Sequence, residues 1–225
     1  MIEELLPAAV VAVESREGAD DLAELFPEEE PVVASAVVKR RHEFAAVRSC
    51  ARRAMEKLGH APQPVLPGER GAPRWPDGLL GSMTHCDGYR AAALARTADL
   101  ASLGIDAEPH GPLPDKILPA VSLPAERDRL AALAAGRPGV PWDRLLFSAK
   151  ESVYKAWFPL TGTWLDFEEA DIELRPDPGA ADRGSLRARL LVPGPVVGGR
   201  RLGQFEGRWT VREGLVLTAV VVPHG

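Results

Sequence analysis

"LASLGIDAEP", residues 100–109, places two carboxylates two residues apart in a run that is otherwise apolar. Side chains alternate along a strand, so Gly104, Asp106 and Glu108 share one face while Leu103, Ile105 and Ala107 share the other. The apolar set calls for a core, and the acids then point together at whatever lies opposite. Further along, "FSAKESVYK" (147–155) reads as helix. There Leu146, Ala149, Val153 and Trp157 form an apolar stripe, and Glu151 and Lys155 stand one turn apart on the other side. Taken singly, each feature is ordinary: an i,i+4 Glu–Lys pair contributes roughly a few tenths of a kcal/mol on any exposed helix, and Asp-x-Glu is common at solvated strand edges. Together they make a different case. Three carboxylates suit a hard cation such as magnesium, which takes a few protein oxygens and fills the rest of its octahedron with water and phosphate. A neighbouring lysine suits the phosphate.

Working outward, "AAVVAVES" (8–15) reads as a short buried strand and residues 28–59 as a helix stopped by Gly59. Residues 60–78 hold too much Pro and Gly for regular structure. "LLGSMTHC" (79–86) and "YRAAALAR" (89–96) flank Asp87–Gly88, the strongest short hairpin signal. After the acidic strand comes a Pro-rich loop (109–124), then a helix over 122–136 with Ser122 as its N-cap, then the helix carrying Glu151. The rest reads as strands: 164–174, 186–192, 203–212 and 215–223. The class is α+β. "DGYRAAALA" (87–95) and "EGLVLTAVV" (213–221) echo each other, which suggests two similar α+β halves meeting near residue 102.

Composition narrows the function. The chain has 225 residues and a formal net charge of −5, so no general affinity for nucleic acid or acidic membrane is expected. No apolar run reaches the length of a membrane span. The start, "MIEELLPAAVVAVES", has acids and no basic segment, so it does not read as a secretory signal, and a cytoplasmic location is expected. Cys50 and Cys86 read as reduced, packed thiols, with no zinc-ligand spacing around them.

Local charge runs against the total. "KRRHEFAAVRSCARR" (39–53) puts Arg41 and Arg48 two turns apart on one helix face, with Arg40 able to reach the same side. That strip suits an anion, and Arg suits bidentate phosphate contacts. Arg52 and Arg53 read as a solvated face. "GSMTH" adds Thr84 and His85, placed just before the hairpin turn.

"GIDAE", "FSAKESVYKAW" and "GSMTH" together resemble the 4'-phosphopantetheinyl transferases of the Sfp type, whose signatures are a G-I/V-D-x-E strand and a W/F-x-x-K-E-x-x-x-K helix. The similarity runs from "KRRHEFAAVR" through "LPGERGAP" and "WDRLLFSAKESVYKAWFPLT" to "REGLVLTAVV", and it is greatest to the actinobacterial branch related to enterobactin synthase component D. The resemblance implies a pseudo-twofold α+β fold, with residues 1–102 and 103–225 as the halves and the active site in the cleft between them. It implies transfer of phosphopantetheine from coenzyme A to a serine of an acyl or peptidyl carrier protein of fatty-acid, polyketide or nonribosomal-peptide synthesis. Nothing in the sequence suggests an oligomer, and a monomer is expected. Asp106, Glu108 and Glu151 would hold magnesium, with Glu151 also the base for the carrier serine. Lys155 and Lys150 would contact phosphate, and Lys155 would assist the transfer. Arg40, Arg48, Thr84 and His85 would bind the coenzyme A phosphates, including the 3'-phosphate. The loop at 109–124 and the helix after it would dock the carrier.

Two departures stand out. Ala72 in "GAP" occupies the place where many members carry a basic residue, which leaves Arg70 or Arg74 to substitute, and Phe147 replaces Trp at the start of the helix motif. A magnesium-dependent nuclease or phosphohydrolase remains open at this point, as does a non-catalytic module binding coenzyme A or carrier protein.

Overall fold

Small apolar residues on either side of Asp87–Gly88 build a hairpin. β2 (Leu79–Cys86) and β3 (Tyr89–Arg96) pair antiparallel from Leu79↔Arg96 to Cys86↔Tyr89. In this computed structural model, which describes residues 1–16, 23–180 and 182–225, β1 (Val11–Arg16) pairs with the far side of β3 and closes a sheet of order β1-β3-β2. The helix α1 (Val38–Lys57) covers one face of it, with Cys50, Ala51, Ala54 and Met55 packed on Val13, Ala92 and Leu94. Cys86 lies outside this cluster, and no disulfide joins it to Cys50.

The second half repeats the plan on a larger scale. β4 (Ser102–Pro109), β5 (Ala170–Pro176), β6 (Arg183–Leu190), β9 (Gln204–Arg212) and β10 (Leu215–Val222) form an antiparallel sheet of order β4-β10-β9-β6-β5. β7 (Val196–Val197) and β8 (Arg200–Arg201) make a small separate ribbon. The helices α2 (Ile117–Val121), α3 (Pro124–Gly136) and α4 (Trp142–Thr161) follow β4. α4 lies across β4 and β10 and packs Leu145, Leu146, Ala149 and Val153 against Trp209 and Ile172.

The halves share a core where the echoed segments meet. Tyr89, Ala91 and Ala93 of β3 pack with Leu103, Ile105 and Ala107 of β4 and with Leu215, Leu217 and Ala219 of β10. Both echoed strands leave a tight turn. At 213–214 Glu213 and Gly214 both take positive φ, as a type I′ turn requires. β2 and β4 are the edge strands of their sheets and run side by side in the same direction. Their link is made by side chains: Ile105 N donates to Ser82 Oγ (3.1 Å) and Ala107 N to Thr84 Oγ1 (3.1 Å). Among the described residues no helix is long and apolar enough to cross a membrane.

The stretch expected as a loop over 109–124 holds α2, and the strand expected over 186–192 runs from Arg183 to Leu190. Three further differences have a visible cause. The helix expected over 28–59 is a short 3-10 turn (Glu30–Val33) and then α1 from Val38, because Pro31 has no N–H to donate and Val37 is extended. Ser122 is not the cap of α3. Its hydroxyl donates to Leu118 O (2.5 Å), and Glu126 accepts the Leu123 N–H (2.7 Å) at the cap instead. The strand expected from 164 starts at Ala170, because Glu169 accepts the Asp166 N–H (2.8 Å) and winds 167–169 into a 3-10 turn.

Candidate active site

α4 presses on β4 at Gly104, where an added Cβ would stand 2.1 Å from Ser152 O. That close approach brings the Glu151–Lys155 face of the helix over the acidic face of the strand. Lys155 Nζ donates to Asp106 Oδ1 (2.8 Å) and to Ile105 O (3.1 Å). Thr84 Oγ1 donates to the same Asp106 oxygen (3.3 Å) while accepting from Ala107 N, so this hydroxyl orients Asp106 as well as bordering the cleft. Asp106 is buried and its Oδ2 has no hydrogen-bond partner. Arg144, at the start of α4, donates to Glu108 Oε2 (2.9 Å) and to the carbonyls of Gly111 and Pro112. Burial first, and Asp106 next, push the carboxyls of Glu108 and Glu151 up from the ordinary glutamate value. Burial, then the carboxylates of Glu108 and Asp106, push the Cys86 thiol up to about 12, so Cys86 is no thiolate nucleophile.

A divalent cation suits this donor set: an orphaned buried carboxylate oxygen beside two carboxyls whose ionisation is opposed by their neighbours. The side chains are not drawn into a ready cluster, however. Lys155 holds Asp106, Arg144 holds Glu108, and among the described residues no three ligating side chains converge as they stand.

A cleft of about 680 Å³ opens from Glu151 and Lys155 between the halves. Its walls also carry Arg40, Arg48 and His85, and Arg70 of the 66–74 loop lines it too. Arg40 Nη1 lies 2.7 Å from His85 Nε2, and burial first, then Arg40, pull the imidazole pKa down. Arg48 is buried, stacked over the Phe44 ring, with Nε donating to Val65 O (3.0 Å). Burial pulls it down to about 10, so it stays charged at neutral pH. Arg70 takes a left-handed backbone (φ 52°) and sits 5.7 Å from the Trp164 ring; of the two substitutes considered for Ala72, it is the one that lines the cleft, whereas Arg74 is not among the lining residues.

Other expected residues lie elsewhere. Lys150 points away from the cleft, pairs with Glu126 (2.8 Å) and donates to the carbonyls of Phe167 and Ala170 (both 2.5 Å). Its three protons are used there, so it is no phosphate ligand in this arrangement. Arg41 pairs with Glu30 outside the cleft, so it does not extend the Arg48 strip. Arg52 is no solvated residue, for it donates to the fully buried Glu29 (3.0 Å). Glu29, Arg144 and the orienting role of Thr84 had no reading from the sequence.

Residues 28–95 match the 4'-phosphopantetheinyl transferase N-terminal domain and residues 102–189 the 4'-phosphopantetheinyl transferase superfamily. The chain is 63% identical over 224 residues to 4'-phosphopantetheinyl transferase Svp of Streptomyces mobaraensis, covering 99% of this chain and 89% of the relative. The chain belongs to the 4'-phosphopantetheinyl transferase superfamily. It is 49% identical to 4'-phosphopantetheinyl transferase Npt of Nocardia iowensis over 98% of this chain and 99% of that one. Enterobactin synthase component D of Salmonella typhi is more distant, 35% identical over 55% of this chain and 50% of its own. These relatives bear out the Sfp-type resemblance and its actinobacterial branch. The chain is a phosphopantetheinyl transferase enzyme, and the nuclease and non-catalytic readings fall.

Proposed function

We propose that this transferase moves 4'-phosphopantetheine from coenzyme A to a serine of an apo carrier protein of fatty-acid, polyketide or nonribosomal-peptide synthesis, in a magnesium-dependent reaction. The observation that carries the proposal is one cleft lined both by Glu151 and Lys155, which stands over Asp106, and by Arg40, Arg48 and His85. Those charges suit a diphosphate and a second phosphate on the same molecule. Both walls belong to one chain, so a monomer suffices, with residues 1–102 and 103–225 as the two halves.

Asp106, Glu108 and Glu151 would hold the magnesium ion, which when bound offsets the charge of the diphosphate. The chain's own residues do the rest. The carrier serine Oγ bonds to the β-phosphorus, the bond from that phosphorus to the bridging oxygen breaks, and adenosine 3',5'-bisphosphate leaves. Glu151 takes the serine proton. Lys155 stabilises charge on the leaving oxygens. Arg40, Arg48 and His85 fix the nucleotide end, so that the reacting atoms are held rather than found by diffusion. The loop 109–124 and α3 form the carrier-docking side.

The test is mass spectrometry of an apo acyl carrier protein incubated with enzyme, coenzyme A and magnesium. A gain of one phosphopantetheine that disappears with EDTA is expected. A gain that persists with EDTA would overturn the metal role, and none across several unrelated carriers would overturn the substrate.

A further inference from the structure

The proposed mechanism makes no use of Glu29, yet Glu29 is among the most completely buried charged residues, at 0% exposure. It sits where the chain turns before α1. Its Oε1 accepts the Val65 N–H (2.8 Å); its Oε2 accepts the Phe26 N–H (3.0 Å) and Arg52 Nη1 (3.0 Å). Arg48 Nε lies 3.9 Å from Oε1. The same residue closes a ring, for the Val65 carbonyl accepts from Arg48 Nε (3.0 Å). Arg48 Nη1 is turned toward Phe44 O (3.5 Å), which leaves Nη2 for a ligand in the cleft.

Two consequences follow from this geometry. Glu29 holds the N–H of the residue whose carbonyl holds Arg48, and Val65 leads directly into the loop bearing Pro67 and Arg70 on the cleft wall. Charge matters as well. Arg48 and Arg52 flank one carboxylate, so the trio carries one surplus positive charge, and Arg40 adds to it. A buried guanidinium pair without its carboxylate would be strongly disfavoured.

We propose that Glu29 is a positioning residue for substrate recognition: it sets Arg48 and the 65–70 segment so that the arginine-bearing wall of the cleft selects a nucleotide bearing a second, terminal phosphate monoester. This rests on the reading of Arg48 as a phosphate ligand of coenzyme A.

The experiment measures kcat and KM with coenzyme A and with 3'-dephospho-coenzyme A, for wild type, Glu29→Gln, Glu29→Asp and Arg48→Ala, with folding checked by thermal melts. Glu29→Gln keeps the shape and removes the charge. Its KM for coenzyme A is expected to rise about tenfold with kcat within about twofold. Its KM for the dephospho form should hardly move, so the preference for the 3'-phosphate collapses. Glu29→Asp should restore part of that preference, and it carries the test if Glu29→Gln does not fold. Equal losses on both substrates, or a fall in kcat alone, would reduce Glu29 to a fold anchor and overturn the inference. An unchanged preference in Glu29→Gln beside a lost one in Arg48→Ala would overturn it while sparing the reading of Arg48. An unchanged preference in Arg48→Ala would overturn both.

Discussion

His85 shows how one side chain can report on the cleft. Its Nε2 faces the Arg40 guanidinium at 2.7 Å, an arrangement that suits a neutral ring. Burial and Arg40 lower its folded-state pKa, with Lys155 and Arg90 adding to the fall and Glu43 opposing it. The sign follows from linkage. A lowered histidine pKa gives stability that is present above the unfolded value of about 6.5 and lost as pH falls through the folded one. A phosphate bound beside the ring would raise that pKa, so coenzyme A binding near pH 6 should take up more protons in wild type than in His85→Gln. Calorimetric titration in buffers of different ionisation enthalpy measures the difference, and equal uptake would show that the ring does not meet the phosphate. Glu151→Gln keeps shape and removes the base; kcat at saturating coenzyme A should fall by about 10²–10⁴, and a rate within a few-fold of wild type would exclude Glu151 from the chemistry. At this scale the expectation that both Lys150 and Lys155 meet phosphate overlooked helical geometry: they are five residues apart, about 140° around a helix, so they cannot both face the strand. Glu29 was not legible, because nothing in "PEEEP" (27–31) says which of three acids turns inward.

The pairing of α4 with β4 depends on small residues meeting small residues. Ser148, Ser152 and Ala156 line the helix face toward the strands, and Ser148 and Ser152 share hydrogen bonds with Thr218 of β10 (2.9 and 2.7 Å). Gly104 completes the fit. A methyl there would meet backbone on both sides, Ser152 O at 2.1 Å and Ala156 N at 2.7 Å, and backbone cannot swing aside as a flexible side chain can. Gly104→Ala should therefore cost about 3 kcal/mol, at the upper end for an overpacked core. It should also lower kcat at temperatures where the variant is fully folded, because Glu151 and Lys155 ride on the displaced helix. Urea unfolding with a parallel kcat measurement checks both effects; an unchanged midpoint would mean that α4 is free to slide. Elements with a strong period or turn signal were legible here, such as the 79–96 hairpin, β4 and α4. Several boundaries that moved are set by one local feature: Pro31 and Val37 before α1, Glu126 at the cap of α3, Glu169 before β5.

At the scale of the molecule, the cleft exists because two sheets meet edge to edge at β2 and β4. Two edge strands in register would ordinarily pair through their backbones. Here Ser82 and Thr84 hydroxyls accept the Ile105 and Ala107 N–H groups instead, which joins the halves and leaves Thr84 a proton for Asp106. The internal echo made two halves legible, but not this seam, since neither hydroxyl differs in sequence from one that faces solvent. The two positions should separate stability from catalysis. Ser82→Ala strands one buried N–H and should cost about 1–3 kcal/mol, with kcat little changed once the protein is folded. Thr84→Val strands another and should cost a similar amount, but it also removes the donor that orients Asp106. Its kcat should fall about tenfold or more at a temperature where both variants are folded. Denaturant unfolding gives the first quantity and single-turnover transfer to a carrier the second. Equal kcat losses in the two variants would mean that the seam acts on the site only by holding the halves together, and a full rate in Thr84→Val would mean that Lys155 alone suffices to set Asp106.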